Sequence, residues 1–216
     1  MMIGKTYRVL AFATLLAGVA VHASASSIVT DGGFESGLEN VYTGDMGDGW
    51  IVTAGTGAIC NDISAVACGN AGSAHTGNQM AFLDWANTFD TISQTLNTIV
   101  GQTYIIDYFV AGTQPNLLDV TFGGSTLFNG TSPTGGVDST DYVEYTFNAT
   151  ATSTSTVLAF SGERTLGAGE ILLDDVSVSP TPEPSALFLT GLALVAAMLF
   201  RNRAGCRSSN ALVAIS

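Results

Sequence analysis

The sequence predicts an all-β domain, an antiparallel β-sandwich, between two apolar ends. Several segments of the middle alternate with a period of two, which places every second side chain on one face of a strand. Glycine or proline separates these segments, and a composition rich in Gly, Thr, Ser and Asn disfavours helices. Short strands at this spacing indicate a sandwich, preceded by an N-terminal signal helix and followed by a C-terminal transmembrane helix.

Residues 1–25 are typical of a secretory signal peptide. Lys5 and Arg8 give a positive start, residues 9–21 are apolar, and Ala23-Ser24-Ala25 offers a cleavage site. The alternative is an N-terminal transmembrane helix, but the apolar run is short for a span and small residues follow it at once. We therefore expect the mature protein to begin directly after this segment.

The body, residues 26–179, is long enough for one domain with a core and too short for two of ordinary size. On its last strand Asp174 shares the period-two face of Val176 and Val178, so we expect Asp174 to point into the sandwich and Asp175 to point away. The predicted faces, in chain order, are Ile92, Gln94 and Leu96; Tyr104, Ile106, Tyr108 and Val110; Val143, Tyr145 and Phe147; Thr156, Leu158 and Phe160; and Leu172, Asp174, Val176 and Val178.

Residues 180–203 combine a stiff peptide, an apolar run and a basic end. Pro182-Glu183-Pro184 lacks two amide donors and favours an extended, exposed backbone. A transmembrane helix is predicted over residues 185–200, followed by Arg201 and Arg203. Because Lys and Arg concentrate on the cytoplasmic side, this helix places the body outside and makes residues 204–216 a cytoplasmic tail.

This tail resembles a PEP-CTERM sorting signal, on Thr181-Pro-Glu-Pro-Ser185, the apolar helix and the basic cluster together. The resemblance implies a partner, an exosortase, which is a membrane cysteine transpeptidase of Gram-negative bacteria that make exopolysaccharide. The protein would be anchored in the inner membrane by its C-terminal helix, then cut near Pro182-Glu183-Pro184 and delivered to the cell surface or extracellular matrix. Such tails usually stop soon after the basic cluster, whereas residues 204–216 continue here. The alternative is a plain membrane anchor with a proline-rich stalk.

The charge of the body limits its partners. Residues 26–179 contain one Lys or Arg, Arg164, and seventeen of the 18 acidic residues, Glu183 being the exception. Contacts with nucleic acid and anionic lipid depend on Lys and Arg, so neither is expected to bind the body. Cations are its natural partners.

Three further segments resemble galactose-binding-like jelly rolls, the fold of many carbohydrate-binding modules. They are Asp31-Gly-Gly-Phe-Glu-Ser-Gly37, Ile92-Ser-Gln-Thr-Leu96 running into Gly101-Gln-Thr-Tyr104, and Leu173-Asp-Asp-Val-Ser-Val178. The resemblance implies a jelly-roll body and a structural calcium site that joins Glu35 and Asp174, completed by backbone oxygens. Two carboxylates in an extracellular setting suit calcium. The alternative is an Asp174 that is protonated or hydrogen-bonded.

Cys60 and Cys68 enclose a short loop. In an oxidising compartment they are expected to form a disulfide, worth about 2 to 3 kcal/mol on the chain-entropy model. The alternatives are two free thiols or half of a metal site.

Candidate ligand-binding residues are Trp50, Trp85 and Asp84, which fall in or near predicted loops. An apolar ring face can stack on a sugar, and Asp84 can supply polar contacts. The alternative is that Trp50 and Trp85 cap the core. Catalysis has less support, because His75, the sole histidine after signal removal, is expected to be a solvent-facing loop residue without a nucleophile motif.

The sequence therefore favours an exported, surface-sorted, non-enzymatic protein associated with the exopolysaccharide or biofilm matrix, with glycan as the expected ligand. Two alternatives stay open. One is a secreted carbohydrate-active hydrolase, and the other is a purely structural matrix or adhesion component.

Overall fold

The computed structural model describes residues 25–37, 43–47, 49–56, 58–61, 72–83, 89–165, 171–182, 191 and 194–196 of the 216-residue chain. Strands dominate this described part, which confirms the all-β prediction. Eleven strands are present there: β1 (Gly44–Gly47), β2 (Trp50–Ala54), β3 (Ala58–Asn61), β4 (Gln79–Leu83), β5 (Asp90–Asn97), β6 (Thr103–Gly112), β7 (Leu117–Phe122), β8 (Ser125–Thr131), β9 (Val143–Thr150), β10 (Ser155–Glu163) and β11 (Ile171–Pro180).

The strands form two sheets. Sheet A has the order β1-β2-β5-β10-β7-β8, and sheet B has the order β3-β4-β11-β6-β9. All of these strand pairs are antiparallel. The β7–β8 hairpin turns at Gly123 and Gly124, whose positive φ angles glycine adopts without strain. The inner faces of the two sheets share one core, so the predicted antiparallel sandwich is confirmed.

The hydrophobic core is built largely from the period-two faces that the sequence predicts. Along β6 every second residue from Tyr104 to Val110 is buried, and the predicted faces of β5 and β10 are buried in the same way. The face of β9 differs, because β9 is an edge strand of sheet B. There Val143 is exposed, while Tyr145 and Phe147 are partly buried against the core.

A bulge in β11 reverses the face on which its side chains lie. The pairing with β6 shifts after Asp174, and Asp175 adopts a φ of 49°. An extra residue in a strand moves every later side chain to the other face. Val176 and Val178 therefore lie in the core, whereas Leu172 packs on the outer face of sheet B. The prediction that Asp174 points into the sandwich with Val176 and Val178 is wrong, and its burial has another cause.

That cause is a second, smaller cluster on the outer face of sheet B. Two chain segments, residues 72–78 and 132–142, fold over this face and contribute Ala74, Val137 and Tyr142. The sheet contributes Met80, Phe82, Ala111 and Leu172. Asp174 lies on the same face and is fully buried. It is thus buried under a covering loop rather than between the sheets.

The predicted end segments fall almost entirely outside the described residues. This holds for residues 1–24 of the signal helix and for the tail 204–216. Of the predicted transmembrane helix, Gly191 and residues 194–196 are described, and they are helical. In the described ranges, no helix reaches the length and apolar character that crossing a membrane requires.

Candidate functional site

The loop of residues 31–37 is anchored by Phe34. Its side chain is fully buried, and its ring centroid lies 5.2 Å from that of Trp50. Trp50 Nε1 in turn donates a hydrogen bond of 3.0 Å to the Asp31 carbonyl. The loop is therefore fixed against the core, and it holds Glu35 at the surface of the sandwich.

Glu35 binds the segment that leads into β4. Its Oε1 accepts the backbone N–H of Asn78 at 2.7 Å and that of Gln79 at 2.8 Å. Gly77 precedes them with a φ of 68°, and a Cβ at this position would overlap Glu35 Oε1. Glycine is thus required for the carboxylate to reach these two amides.

Asp174 is buried and surrounded by amide donors. Its Oδ2 accepts the backbone N–H of His75 at 2.8 Å and of Thr76 at 3.1 Å, and its Oδ1 accepts that of Asp175 at 2.7 Å. Burial raises the pKa of Asp174 to about 7; the Asp175 charge adds to the rise, and the amide donors oppose it. Glu35 and Asp174, from opposite ends of the body, therefore hold one segment between them.

His75 is held at the same place by its side chain. Its Nδ1 lies 2.7 Å from Asp175 Oδ2, and its ring stacks on Phe109 with a centroid distance of 4.0 Å. The Tyr142 ring lies 5.3 Å away on centroids. Only 25% of the His75 side chain is exposed, so the prediction of a solvent-facing loop residue is wrong.

The carboxylate oxygens of Glu35 and Asp174 fit calcium in type, since carboxylates are ligands that this ion prefers. They do not make a complete site by themselves. Within the described ranges, no group of three or more His, Cys, Asp or Glu side chains is placed to hold a metal ion. Calcium takes roughly 6–8 oxygens, so backbone carbonyls would have to supply most of them.

Trp50 is a core residue. It is fully buried, between Phe34 at 5.2 Å and Phe160 at 6.2 Å on ring centroids. Its ring offers no face to a ligand, so the predicted sugar-stacking role does not apply to Trp50. The alternative that the sequence left open, a place in the core, is the correct one.

The other predicted site residues lie wholly or partly outside the described part of the chain. Cys60 pairs with Met80 between β3 and β4, but its side chain is not described. The disulfide, the remaining ligand candidates and the sorting motif therefore stay predictions. The residues fully outside are Cys68, Asp84, Trp85, Glu183 and Pro184, while Pro182 is exposed at the end of the 171–182 range.

A cleft of about 430 Å³ opens at one end of sheet A. Its walls come from the N-terminal segment, from the start of β2 and from the end of β5. The described lining residues are uncharged and mix hydroxyl, amide and aliphatic groups: Ile28, Thr30, Gly49, Ile51, Gln94, Thr95 and Asn97.

The cleft exists because β2 is shorter than β5. β2 pairs with β5 only from Thr91 to Gln94, whereas β10 pairs with β5 up to Asn97. The N-terminal segment stands across from the uncovered end. Thr30 is fixed there by the Gln94 side chain, which accepts its N–H at 2.8 Å and donates to its carbonyl at 2.9 Å.

Sequence reasoning did not find this cleft. It placed Gln94 correctly on the inner face between Ile92 and Leu96. The opening itself depends on where β2 stops relative to β5, and no local pattern in either strand records that difference. The pairing of Gln94 with a backbone segment 64 residues away leaves no periodic signal either.

Comparison with known proteins identifies the fold. TmCBM61, solved in complex with beta-1,4-galactotriose, matches with a TM-score of 0.52 and 16% identity over 71% of this chain and 98% of that one. The CBM22-1 xylan-binding domain of Paenibacillus barcinonensis Xyn10C gives a TM-score of 0.49 and 17% identity over 74% and 99%. No protein-family model and no curated protein sequence matches the chain. The body has the jelly-roll fold of carbohydrate-binding modules, as the resemblance implied.

Proposed function

We propose that the body is a glycan-binding module that holds carbohydrate in the cleft at the end of β5 without cleaving it. The observation that carries the proposal is the open cleft, whose described lining residues are uncharged and include hydroxyl and amide side chains. The shared fold with TmCBM61, a structure in complex with beta-1,4-galactotriose, supports it. Because one fold hosts many functions, the cleft and not the fold defines the ligand site.

The test is a glycan array probed with the full chain in detergent. Thr95 is exposed in the cleft, so Thr95→Trp fills part of it and is expected to weaken binding at least tenfold. Thr146→Trp is the matched control, because Thr146 is also exposed but lies on β9 of the other sheet. Binding to no glycan at all, or equal loss in both variants, would contradict the proposal.

We propose that this module is exported and sorted to the cell surface, where it associates with exopolysaccharide. The support is the signal peptide, residues 1–25, and the PEP-CTERM-like tail, residues 180–203, which would be processed by an exosortase. The near absence of Lys and Arg in residues 26–179 agrees with a place away from nucleic acid. The proposed disulfide between Cys60 and Cys68 requires this oxidising location.

A structural calcium ion held by Glu35 and Asp174 is part of the proposal. Asp174 is fully buried, and burial, together with the neighbouring Asp175 charge, raises its pKa; a cation bound there would oppose both effects. Both carboxylates bind the segment of residues 75–79, so an ion there would fix that segment to β11 and to the loop of residues 31–37. The role is structural and no chemical step depends on it.

A carbohydrate-active hydrolase is the second candidate. The observation that favours it is the His75–Asp175 pair, since a carboxylate bound to Nδ1 orients a histidine for proton transfer at Nε2. Turnover of a bound glycan that disappears in His75→Gln would establish the hydrolase. Binding without turnover favours the module, and binding of no glycan together with loss of matrix cohesion on deletion favours a purely structural component.

A further inference from the structure

We propose that the cleft selects an uncharged sugar chain, which it reads through the backbone of β5 at Thr95 and Asn97 and through the exposed side chain of Ile51. This inference rests on the proposed glycan-binding function and adds the ligand class and the contacts. Three features of the described residues support it: the direction of the β5 backbone groups, the chemistry of the lining and the rigidity of the opposite wall.

The ladder between β5 and β10 fixes where the backbone groups of Thr95 and Asn97 point. Directly opposite pairs alternate between hydrogen-bonded and non-hydrogen-bonded in an antiparallel ladder. Thr98 N–H donates to the Thr154 carbonyl at 3.0 Å, which makes that pair hydrogen-bonded. Counting back along the ladder, Asn97 with Ser155 and Thr95 with Val157 are therefore non-hydrogen-bonded pairs.

The β10–β7 ladder agrees with this assignment. The Val157 carbonyl accepts the Gly123 N–H at 2.8 Å, so Val157 is bonded toward β7 and not toward β5. The N–H and C=O of Thr95 and Asn97 consequently point away from β10 and into the cleft. β2 does not extend that far, since its last partner on β5 is Gln94. A ligand with hydroxyl groups, which donate and accept, matches this edge.

The lining favours a neutral ligand. None of the described residues that line the cleft carries a charge, and residues 26–179 contain Arg164 as their only Lys or Arg. Carboxylate or sulfate groups on a sugar bind chiefly to cationic side chains, and an acidic protein repels them over a distance of about 10 Å at 0.1 M salt. An uncharged sugar chain needs no cationic side chain and is not repelled by the acidic protein.

Ile51 supplies the apolar part of the site. Its side chain is 44% exposed on β2, beside Ser93 of β5 in the ladder. One face of a sugar ring consists mostly of C–H groups, which gain from contact with an aliphatic side chain. Binding pockets generally combine such apolar surface with a few placed polar groups. Ile51 and the β5 edge provide these two parts on one side of the cleft.

The opposite wall is rigid before any ligand binds. The Gln94 side chain accepts the Thr30 N–H and donates to the Thr30 carbonyl, and Ile28 N–H donates to the Val178 carbonyl at 2.8 Å. Because this wall is already ordered, binding loses no free energy to the entropy of ordering the wall. The N-terminal segment thus sets the width of the cleft.

The experiment uses the full chain in detergent on an array where each neutral oligosaccharide stands beside its C6-oxidised, uronate form. We expect neutral forms to bind and uronate forms to bind at least tenfold more weakly. Ile51→Ser should weaken binding of the best neutral oligosaccharide about tenfold. Val143→Ser is the control, since Val143 on β9 is 43% exposed and should leave the affinity unchanged. Saturation with that oligosaccharide should slow hydrogen exchange at the Thr95 and Asn97 amides.

The outcomes separate this inference from the function on which it rests. If no glycan of either form binds, the glycan-binding function fails and this inference with it. If uronate forms bind equally well, if Ile51→Ser retains full affinity, or if exchange at Thr95 and Asn97 does not change, only the present inference is overturned. The present inference alone is also overturned if an extended synthetic peptide, and not a sugar, slows hydrogen exchange at these two amides.

Discussion

Single side chains at the junction of the loop 31–37 with β11 decide both the stability and the chemistry of this end of the sandwich. Phe34 has a φ of 60°, which is unusual for a bulky residue, and its full burial compensates for that conformation. Asp174 is a buried carboxylate that backbone amides hold in place. The first residue therefore governs packing, and the second makes stability depend on pH.

Replacing Phe34 by alanine is expected to lower the free energy of unfolding by about 3–5 kcal/mol, because it empties a fully buried aromatic site. Urea denaturation measures the change. Phe89→Ala is the control: Phe89 is 44% exposed, and its loss should alter stability by about 0.5 kcal/mol or less. Equal effects of the two substitutions would show that Phe34 does not anchor the loop.

The pH dependence of stability follows from Asp174. Its pKa in the folded protein is raised to about 7 from the ordinary 3.8, so the folded state binds this proton more tightly than the unfolded state. Protonated Asp174 therefore contributes to the free energy of unfolding; this contribution is fully present below pH 3.8 and is lost as the pH rises through about 7. In chelator, we expect the unfolding free energy of the wild type to fall over this range more steeply than that of Asp174→Asn. Parallel curves for the two proteins would contradict this assignment.

At the level of elements, the segment of residues 72–78 connects the loop of residues 31–37 with β11. The Glu35 carboxylate holds its C-terminal end, and Asp174 and Asp175 of β11 hold its middle. None of these contacts is a strand pairing. The conformation of the segment therefore depends on the charges of three carboxylates. A cation bound to them would change how the segment is held.

Calcium is expected to stabilise the folded protein through this segment. Saturation to 100 times the dissociation constant should add about 2.7 kcal/mol and raise the melting temperature. Glu35→Gln should abolish the gain, whereas Glu144→Gln, an exposed acid on β9, should preserve it. Differential scanning calorimetry with and without calcium measures the effect. A melt that calcium leaves unmoved in the wild type would remove the ion from the proposal.

The elements also show how far sequence reasoning reaches. The faces of β5, β6 and β10 were predictable because alternation persists through each whole strand. The position of Asp174 on the outer face of sheet B was not predictable, because the bulge at Asp175 depends on a positive φ that a non-glycine residue rarely adopts. The burial of His75 was not predictable either, since it arises from stacking on Phe109, 34 positions away in the sequence. The sequence motif around Phe34 marks the loop that carries Glu35, and the calcium site expected there stays a prediction.

On the scale of the whole molecule, the body combines a strongly acidic composition with a cleft whose described lining residues are uncharged. The cleft lies beside the N-terminal segment, and the proposed stalk leaves the body after β11. Ile28 and Val178 are hydrogen-bonded to each other, so the beginning and the end of the body lie side by side. Signal removal and tail processing would therefore take place at the same end of the domain.

Export makes a prediction about the cysteines. In the exported protein, Cys60 and Cys68 should resist alkylation until a reductant is added, because an oxidising compartment pairs them. Mass spectrometry of the peptides around these residues measures the labelling. The control is Cys206 in the unprocessed, membrane-anchored form: it would lie in the proposed cytoplasmic tail and should be alkylated without reductant. Recovery of the unprocessed chain from the cytosol, with Cys60 and Cys68 both freely labelled, would contradict export.

The central position of β11 in sheet B determines how the domain responds to tension. β11 has β6 on one side, and on the other it has β4 followed by the N-terminal segment. A pull on the end of β11 along the axis of the strand would load the hydrogen bonds on both sides together in shear, so that they would not open one after another. The cleft lies at the same end of the body as the end of β11, so a polymer bound in the cleft and the proposed tail would pull on neighbouring points and leave most of the sandwich unloaded.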